Sequence, residues 1–362
     1  MGDYRFDEIT IIQKLELFHL ELPFSRPLIL ALAELPVRSV LLLKWHLQTG
    51  GGEDNRVIVG WTEVAPLPGF SRETLSECQQ QLDHFFKSIF CEPNTPRKLS
   101  TLMAAIKKTS TKLYPSVGFG LGAVRILIES VRLNRVSPYS CELHDSNQYC
   151  RRCWLLTESD AVTKNLATIS IPAERIKLKV GIGPLCRDIE RINALLQNPN
   201  FSGKLRLDAN RSWSLPQVEI LSEQVDASRI EWLEEPLSDP SEYRRWTSVS
   251  DIGYALDESL YQPYVVTNAD SLIPQAGLAA LILKPTLLGL ESVYALSNWA
   301  MLHGYRSIVS SSFETSVGLG LLSSLAEQLG PQDYHGLDTQ KYFQTQAQYS
   351  IPTALLRKVA EL

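Results

Sequence analysis

The chain has 362 residues, of which 44% are hydrophobic and 21% charged, a composition typical of a soluble, enzyme-sized globular protein. Its 35 basic and 40 acidic residues give a net charge of −5, which argues against nucleic acid as the main partner because phosphate binding needs a concentrated basic face. Apolar runs are far shorter than the roughly 18–20 residues of a membrane span, and the N-terminus has no secretory signal, so we expect a cytoplasmic protein.

The first third of the chain predicts an α+β domain. Three segments alternate or run apolar like strands: 12–23, 38–47 and 57–63. The Gly-rich stretch 48–55 is typical of a hairpin turn. A helix should begin near Ser71, where apolar residues start to recur at steps of three and four, and a second helix is predicted over 117–133. Three glycines of that second helix favour close backbone packing rather than helix formation: Gly118, Gly120 and Gly122.

From about residue 153 onward, short apolar runs alternate with helical segments. The runs are 154–157, 175–181, 204–209, 229–233, 253–256, 278–283 and 306–310. The helical stretches include 187–197, 215–227, 290–303 and 317–329. Strand–helix repetition specifies a parallel sheet with helices outside it. Because nothing hints at a switch in strand order, a closed α/β barrel is favoured over an open doubly wound sheet, which is the alternative.

The six cysteines are too sparse for a disulfide framework in a chain of this length. One group, Cys141-x2-His144-x5-Cys150-x2-Cys153, contains two pairs with two-residue gaps that resemble a zinc site. The gap between the pairs is shorter than in usual zinc fingers, and Cys153 begins an apolar run. Thiols in an irregular insertion are therefore the favoured interpretation, and structural zinc is the alternative.

Polar residues stand at the C-terminal end of nearly every predicted barrel strand: Lys177, Lys179, Asp208, Glu234, Asp257, Lys284, Ser310, Ser311 and Ser312. From Lys179 onward they recur every 23–29 residues, or about one strand–helix unit, so they should lie at one height around the barrel mouth. Active sites of barrel enzymes lie at this end. Charge there is costly unless it is paired or bound to metal, so the set predicts a site.

The three carboxylates, Asp208, Glu234 and Asp257, form an all-oxygen set from adjacent strands. Hard oxygen ligands without His or Cys suit Mg²⁺, with Mn²⁺ as a reasonable substitute. The alternative is that some of these acids only form salt bridges with the lysines.

In Lys177-Leu-Lys179 the strand period of two places both ammonium groups on the same inward face. Lys284, on a later strand, should approach from the opposite side. A neighbouring like charge or a divalent cation lowers a lysine's pKa, and a partly neutral lysine can act as a general base. Lys179 is therefore the predicted base and Lys177 its electrostatic modulator, for proton abstraction next to a carboxylate.

Five motifs resemble the signature of the enolase superfamily: Lys177-x-Lys179, Arg206-Leu-Asp208-Ala-Asn210, Leu233-Glu-Glu-Pro236, Asp257-Glu-Ser259 and Lys284-Pro-Thr286. Three further segments resemble the o-succinylbenzoate synthase family within it: 60–74, 310–319 and 336–339. The resemblance runs from about residue 20 to 340.

This resemblance implies an α+β capping domain over 1–135, completed by the tail 340–362, and a (β/α)7β barrel over 150–339. It implies a hydro-lyase that acts on a small-molecule carboxylate, the syn-dehydration of 2-succinyl-6-hydroxy-2,4-cyclohexadiene-1-carboxylate to 2-succinylbenzoate, in menaquinone or phylloquinone biosynthesis. The segment 24–36 should fold over the substrate, although residues 28–33 are unexpectedly apolar.

The resemblance also implies a role for each site residue. Lys179 removes the proton and then assists departure of hydroxide, while Lys284 stabilises the intermediate from the opposite ring face. The three carboxylates bind the metal, with Arg206 and Asn210 beside them. Backbone amides near Ser311 and Ser312, with the start of the following helix, would hold the succinyl carboxylate; the serines could instead only cap a polar loop.

Two alternatives stay open. An N-acylamino acid racemase or dipeptide epimerase of the same superfamily would use Lys179 and Lys284 as acid and base, but segments 66–70 and 336–339 favour the synthase. A non-catalytic barrel that serves as a scaffold would be expected to have lost a ligand or a lysine, and none is missing.

Overall fold

The computed structural model describes residues 10–30, 33–49, 56–90, 97–133, 150–156, 166, 174–262, 265–266, 268–344 and 353–361. The first part contains β1 (Ile11–Leu30), β2 (Ala33–Thr49), β3 (Arg56–Val64), α1 (Leu75–Ile89), α2 (Leu99–Thr109), α3 (Pro115–Gly122) and α4 (Val124–Arg132). The later strands are β4 (Arg151–Arg152), β5 (Trp154–Leu156), β6 (Arg175–Lys179), β7 (Lys204–Asp208), β8 (Ile230–Glu234), β9 (Tyr254–Leu256), β10 (Leu278–Leu283), β11 (Arg306–Val309), β12 (Tyr334–His335) and β13 (Arg357–Glu361). The later α-helices are α5 (Leu185–Leu196), α6 (Leu215–Gln224), α7 (Pro285–Leu288), α8 (Leu290–Leu302) and α9 (Ser316–Leu329).

The capping part is built on a four-stranded antiparallel sheet in the order β13-β1-β2-β3. The C-terminal strand β13 pairs with β1, so the end of the chain returns to this sheet as expected. Strands β1 and β2 form one long hairpin, in which even Leu28 and Leu35 are paired. The segment 24–36, which was expected to fold over the substrate, is therefore largely a β-ribbon. The ring of Phe24 at its base stacks on Phe343 with centroids 4.9 Å apart. The turn predicted over 48–55 lies mostly outside the described residues.

The boundaries of the cap helices follow from local hydrogen bonding. The helix expected near Ser71 starts at Leu75, because Thr74 and Glu77 form a capping box that satisfies the free amides of the first turn. The helix expected over 117–133 is two helices that meet at Ala123. The N–H of Ala123 still bonds to the Phe119 carbonyl, so the interruption lasts a single residue.

The barrel is a closed ring of eight parallel strands. Strands β5 to β11 lie side by side in chain order, and every neighbouring pair is parallel. The ring closes because β12 pairs in parallel with β4, which runs directly into β5, while Ser310 after β11 bridges to Gly336 after β12. The predicted (β/α)7β barrel with an α+β cap is confirmed; the boundaries 1–135, 150–339 and 340–362 stay predictions.

The barrel interior is filled by a small apolar layer below the mouth: Trp232, Ala255, Ala280, Ile282 and Ile308. A larger core joins the outer faces of the strands to the helices and continues into the cap. No helix in the described part of the chain is long and apolar enough to cross a bilayer.

Two members of the cysteine–histidine group, Cys141 and His144, lie outside the described residues. Cys150 and Cys153 are buried and form no disulfide. Burial raises the pKa of the Cys153 thiol to about 11, which keeps it protonated at neutral pH.

The glycines of α3 allow a stringent test of how the cap is packed. A Cβ added to Gly120 would lie 2.3 Å from Val64 Cγ2 and 2.8 Å from the Glu63 carbonyl oxygen, whereas one added to Gly118 would meet nothing within 4 Å. Gly120→Ala should therefore destabilise the protein by roughly 1–3 kcal/mol through overpacking. Gly118→Ala, the matched control, should stabilise it by up to about 1 kcal/mol through helix propensity. Urea unfolding measures both, and equal effects at the two positions would contradict this packing.

Candidate active site

The carboxyl ends of β6, β7 and β8 place charged residues at one level. Lys179 is paired in register with Asp208, and Asp208 with Glu234. Glu234 pairs in turn with Ala255 on β9, so Asp257 lies two residues beyond that level. Lys284 directly follows β10, on the far side of the eight-stranded ring from β6.

The lysines stand between the carboxylates. Lys177 Nζ lies 2.5 Å from Glu234 Oε1 and 2.9 Å from Asp208 Oδ2, so one ammonium group bridges two strands. Lys179 Nζ lies 3.6 Å from the same Asp208 oxygen. Lys284 Nζ lies 2.5 Å from Asp257 Oδ2. The side chain of Lys179 is 33% exposed, against 14% for Lys177 and 15% for Lys284, so Lys179 is the most accessible of the three lysines.

Burial and charge pull the pKa values of the site apart. Burial raises the pKa of Glu234 to about 8, and repulsion from Asp208 and Asp257 adds to the effect against attraction from Lys177. For Asp208, the lysines outweigh burial and lower the pKa. For Lys177 and Lys284, burial is outweighed by the surrounding carboxylates, so their pKa values are raised. Lys177 is thus a firmly charged ammonium group, suited to an electrostatic role.

A buried carboxylate to which sequence analysis assigned no role holds three strand ends together. Glu235 is fully buried, and its carboxylate accepts hydrogen bonds from the amides of Asp257 (2.8 Å) and Ser259 (3.1 Å). It also accepts the Ser259 hydroxyl at 2.5 Å and pairs with Arg211 Nε at 2.9 Å. Since Arg211 follows β7 and Asp257 follows β9, Glu235 links the ends of the strands that carry all three predicted metal ligands.

The backbone is strained at these strand ends. Asn210, Arg211 and Glu235 all have positive φ, at 41°, 62° and 40°, a region that non-glycine residues seldom occupy. Such strain persists only where surrounding bonds hold it, and it concentrates at functional sites. The turn at Glu235 explains why strand alternation from Glu234 did not reveal it.

Three further polar groups complete the carboxylate side. The amide nitrogen of Asn210 donates to Glu258, and the Tyr261 hydroxyl donates to Asp257. Burial raises the pKa of Glu258 to about 7, and repulsion from Asp257 adds to it. Glu258 was visible only as the middle residue of the Asp257-Glu-Ser259 motif, and Tyr261 carried no signal beyond its position four residues after Asp257.

Several buried oxygens here have no hydrogen-bond partner among the described residues: Asp208 Oδ1, Asn210 Oδ1 and Glu258 Oε2. Within the same residues, no three His, Cys, Asp or Glu side chains converge at the spacing of a metal site, and the lysines form ion pairs with the acids. The unpartnered oxygens are nevertheless hard ligands of the kind that Mg²⁺ takes.

Arg206 does not join the mouth cluster. It is paired in register with Lys177, but its guanidinium donates to Glu231 (2.7 Å) and to the Tyr334 carbonyl, and it stacks 4.0 Å from the Trp232 ring centroid. These contacts contradict the expectation that Arg206 lies beside the predicted metal ligands, since none of them is with a ligand. The register shift between Leu205 and Arg206 accompanies this arrangement, in which the guanidinium faces the opposite end of the barrel.

The amides expected to hold a substrate carboxylate are already used within the protein. Ser311 N donates to the Gly336 carbonyl at 2.9 Å, and Ser312 N donates to Glu314 at 2.6 Å. At the start of α9, the amides of Thr315 and Gly318 donate to Glu63 from the cap. The prediction of an amide anion site at this loop is corrected accordingly. The buried Ser312 hydroxyl is the group of this pair without a partner among the described residues.

Comparisons with known proteins agree with this architecture. Residues 12–127 match the family described as MenC, N-terminal domain, and residues 165–348 match the family described as Enolase C-terminal domain-like. An o-succinylbenzoate synthase from Yersinia pseudotuberculosis is 32% identical over 341 residues, which is 91% of each chain. The corresponding protein from Yersinia enterocolitica is 31% identical over 348 residues, or 94% of each chain.

Solved structures show the same fold. O-succinylbenzoate synthase from Thermosynechococcus elongatus, complexed with Mg in the active site, has a TM-score of 0.67 at 21% identity and covers 94% of this chain and 97% of its own. The L-Ala-D/L-Glu epimerase from Bacillus subtilis has a TM-score of 0.68 at 18% identity and covers 92% and 91%.

The bonds of Glu235 predict a measurable effect on metal binding. Glu235→Gln removes the charge that aligns Asp257 and Arg211, and loss of such supporting bonds typically weakens metal affinity by about 10–100-fold. We expect the Kd for Mn²⁺ to rise by about that factor in isothermal titration calorimetry. Glu242→Gln, at a surface pair with Arg245 (3.8 Å), is the control and should leave the Kd unchanged. An unaltered Kd in the Glu235 variant would remove it from the support of the site.

Proposed function

The chain belongs to the o-succinylbenzoate synthase family of the enolase superfamily, and on that basis we propose that it eliminates water from 2-succinyl-6-hydroxy-2,4-cyclohexadiene-1-carboxylate to give 2-succinylbenzoate. The observation that carries the proposal is the placement of Lys179 and Lys284 across the barrel mouth from each other, with three carboxylates between them. Such a site can take a proton next to a carboxylate and stabilise the charge that develops.

Lys179 is the proposed base. Its ammonium group is the most exposed of the three lysines and pairs with Asp208 only at 3.6 Å, so it is the lysine least committed to a carboxylate. As the free amine it takes the ring proton next to the substrate carboxylate. As the conjugate acid it returns that proton to the departing hydroxide on the same ring face, so water leaves and the ring becomes aromatic.

Lys284 and Lys177 act through charge. The raised pKa of each keeps it an ammonium group at neutral pH. From the opposite side of the mouth, Lys284 stabilises the electron-rich intermediate, as a cation stabilises a π face. Lys177, between Asp208 and Glu234, limits the repulsion of these two carboxylates and keeps them in place.

Asp208, Glu234 and Asp257 are the proposed holders of a divalent cation, Mg²⁺ with Mn²⁺ as a substitute. The unpartnered Asp208 oxygen and the all-oxygen donor set fit such an ion. When bound, it supplies positive charge beside the substrate carboxylate. Asn210 supports this side of the site through Glu258. Ser311 positions Glu314, and the Ser312 hydroxyl is a candidate contact for the succinyl carboxylate. A cytoplasmic location and a place in menaquinone or phylloquinone synthesis stay predictions.

An ultraviolet assay tests the reaction directly. Purified protein with the cyclohexadiene substrate should bleach the diene absorbance with Mg²⁺ or Mn²⁺ and not with EDTA, because the cation supplies the positive charge that stabilises the negative charge developing on the substrate carboxylate. Circular dichroism controls for folding in both conditions. A flat trace from folded, Mg²⁺-loaded protein would contradict the synthase. Racemisation of N-succinylamino acids would then be the activity to measure, since it uses the same two lysines.

Lys179→Ala tests the base. Removal of a general base typically costs about 10²–10⁴-fold in rate, so kcat should fall at least that far while the melting temperature is unchanged. Lys204→Ala, at the exposed opposite end of the neighbouring strand β7, is the control and should retain full activity. Turnover near the wild-type rate in the Lys179 variant would show that another group takes the proton.

A further inference from the structure

A second cluster of buried charges lies where the cap meets the barrel, apart from the lysine site. Its members are Arg38 on β2, Glu63 on β3 and Glu314 just before α9, with 1%, 0% and 0% of their surface exposed. Charges so far from water persist only when their hydrogen bonds are satisfied. Their partners are therefore informative.

Arg38 ties two loops together. Its guanidinium donates to the carbonyls of Ala65 (2.5 Å) and Pro66 (2.6 Å), which directly follow β3 in the cap. It also donates to the carbonyls of Phe313 (3.0 Å) and Ser312 (3.5 Å), in the loop after β11. Only the forked donors of an arginine can serve both loops at once.

Glu63 serves the same barrel loop from the cap. Its carboxylate accepts the amides of Thr315 (3.0 Å) and Gly318 (2.9 Å), together with the Thr315 hydroxyl. It thereby satisfies orphan donors at the start of α9 and places a negative charge at the positive end of that helix. A Cβ added to Gly318 would lie 2.5 Å from Glu314 Cβ and 3.0 Å from Glu63 Oε2, so the close approach of both glutamates depends on glycine.

Glu314 holds the loop from the barrel side. It accepts the Ser312 amide at 2.6 Å, the Ser311 hydroxyl at 2.7 Å and the Thr286 hydroxyl at 2.6 Å. These bonds and those of Arg38 flank Phe313, whose φ is 60°. This is an uncommon conformation for a bulky residue. The loop 310–315 is thus held in a strained shape by three charges, two of which belong to the cap.

We propose that Arg38 and Glu63 are positioning residues of the active site, which hold loop 310–315 in its substrate-binding shape from the cap without touching the substrate. The proposal rests on the proposed function, because it assumes that this loop meets the succinyl arm. Its consequence is that substrate affinity depends on cap residues that take no part in proton transfer or in metal binding.

The first test is Glu63→Gln, with Glu21→Gln on the exposed face of β1 as the matched control. Loss of a charge-assisted bond at the start of α9 should speed amide hydrogen exchange over 310–320 by about tenfold, a change of one decade in the opening equilibrium. KM for the diene should rise by about tenfold while kcat changes by less than about threefold, since uniform binding is lost. The Kd for Mn²⁺ should be unchanged. The control should match the wild type in all four measurements.

Arg38→Lys and Arg38→Met separate positioning from simple docking of the cap. Lysine retains the charge but loses the fork, so we expect it to fold and to show the same raised KM and local exchange, with methionine more severe. Unchanged exchange over 310–320 in both Glu63→Gln and Arg38→Lys would overturn the proposal. So would a fall in kcat with KM and local exchange unaltered. The exchange measurements need no substrate, so they hold even if the wild type fails to consume the diene, a result that would overturn the synthase function instead.

Discussion

The pairing of buried lysines with buried carboxylates at the barrel mouth is the constraint on which the rest of this site depends. Neither the ammonium groups nor the carboxylates could be buried there alone, because an unpaired charge removed from water costs too much free energy. The bridge from Lys177 to Asp208 and Glu234 requires that β6, β7 and β8 keep one register. A slip of one residue would turn each of these side chains to the other face of its strand. The strand register of the barrel and the ion pairs at its mouth therefore depend on each other.

Register alone does not orient the three predicted metal ligands, because each lies at the last residue of a strand or just beyond it. Glu235 supplies what the sheet cannot, since it takes amides from the turn after β9 and the guanidinium of Arg211 after β7. Its positive φ is the cost of turning a second carboxylate inward directly after Glu234. The hydrogen bonds of Glu235 hold this strained turn, and two buried oxygens beside it, Asp208 Oδ1 and Glu258 Oε2, have no hydrogen-bond partner among the described residues.

Periodicity and spacing were enough to predict the barrel and the level of its charged residues, whereas the return of the tail to the cap was implied only by the family resemblance. They could not predict partners. The family resemblance implies that Arg206 lies beside the metal ligands, but a motif does not say toward which end of a barrel a long side chain extends. Ser311 and Ser312 were read as free donors, although Glu314, two residues on, takes the Ser312 amide. Which acceptor takes such an amide depends on the residues that lie nearby in three dimensions, and a local sequence pattern does not contain that information.

The two charge clusters differ in what they connect, and this difference has a functional meaning. The lysine–carboxylate cluster is drawn from the barrel strands and their ends, so the groups proposed to move the proton are held by the parallel sheet. The cluster of Arg38, Glu63 and Glu314 spans cap and barrel, so the loop proposed to meet the substrate is held by bonds that cross an interface. The cross-interface bonds of this cluster reach the loop or the start of α9 and not the lysines, so a change at Arg38 or Glu63 should alter the loop while the proposed acid–base groups stay in place. On the proposed function, the fold thereby separates the residues that position the substrate-binding loop from the residues proposed to move the proton.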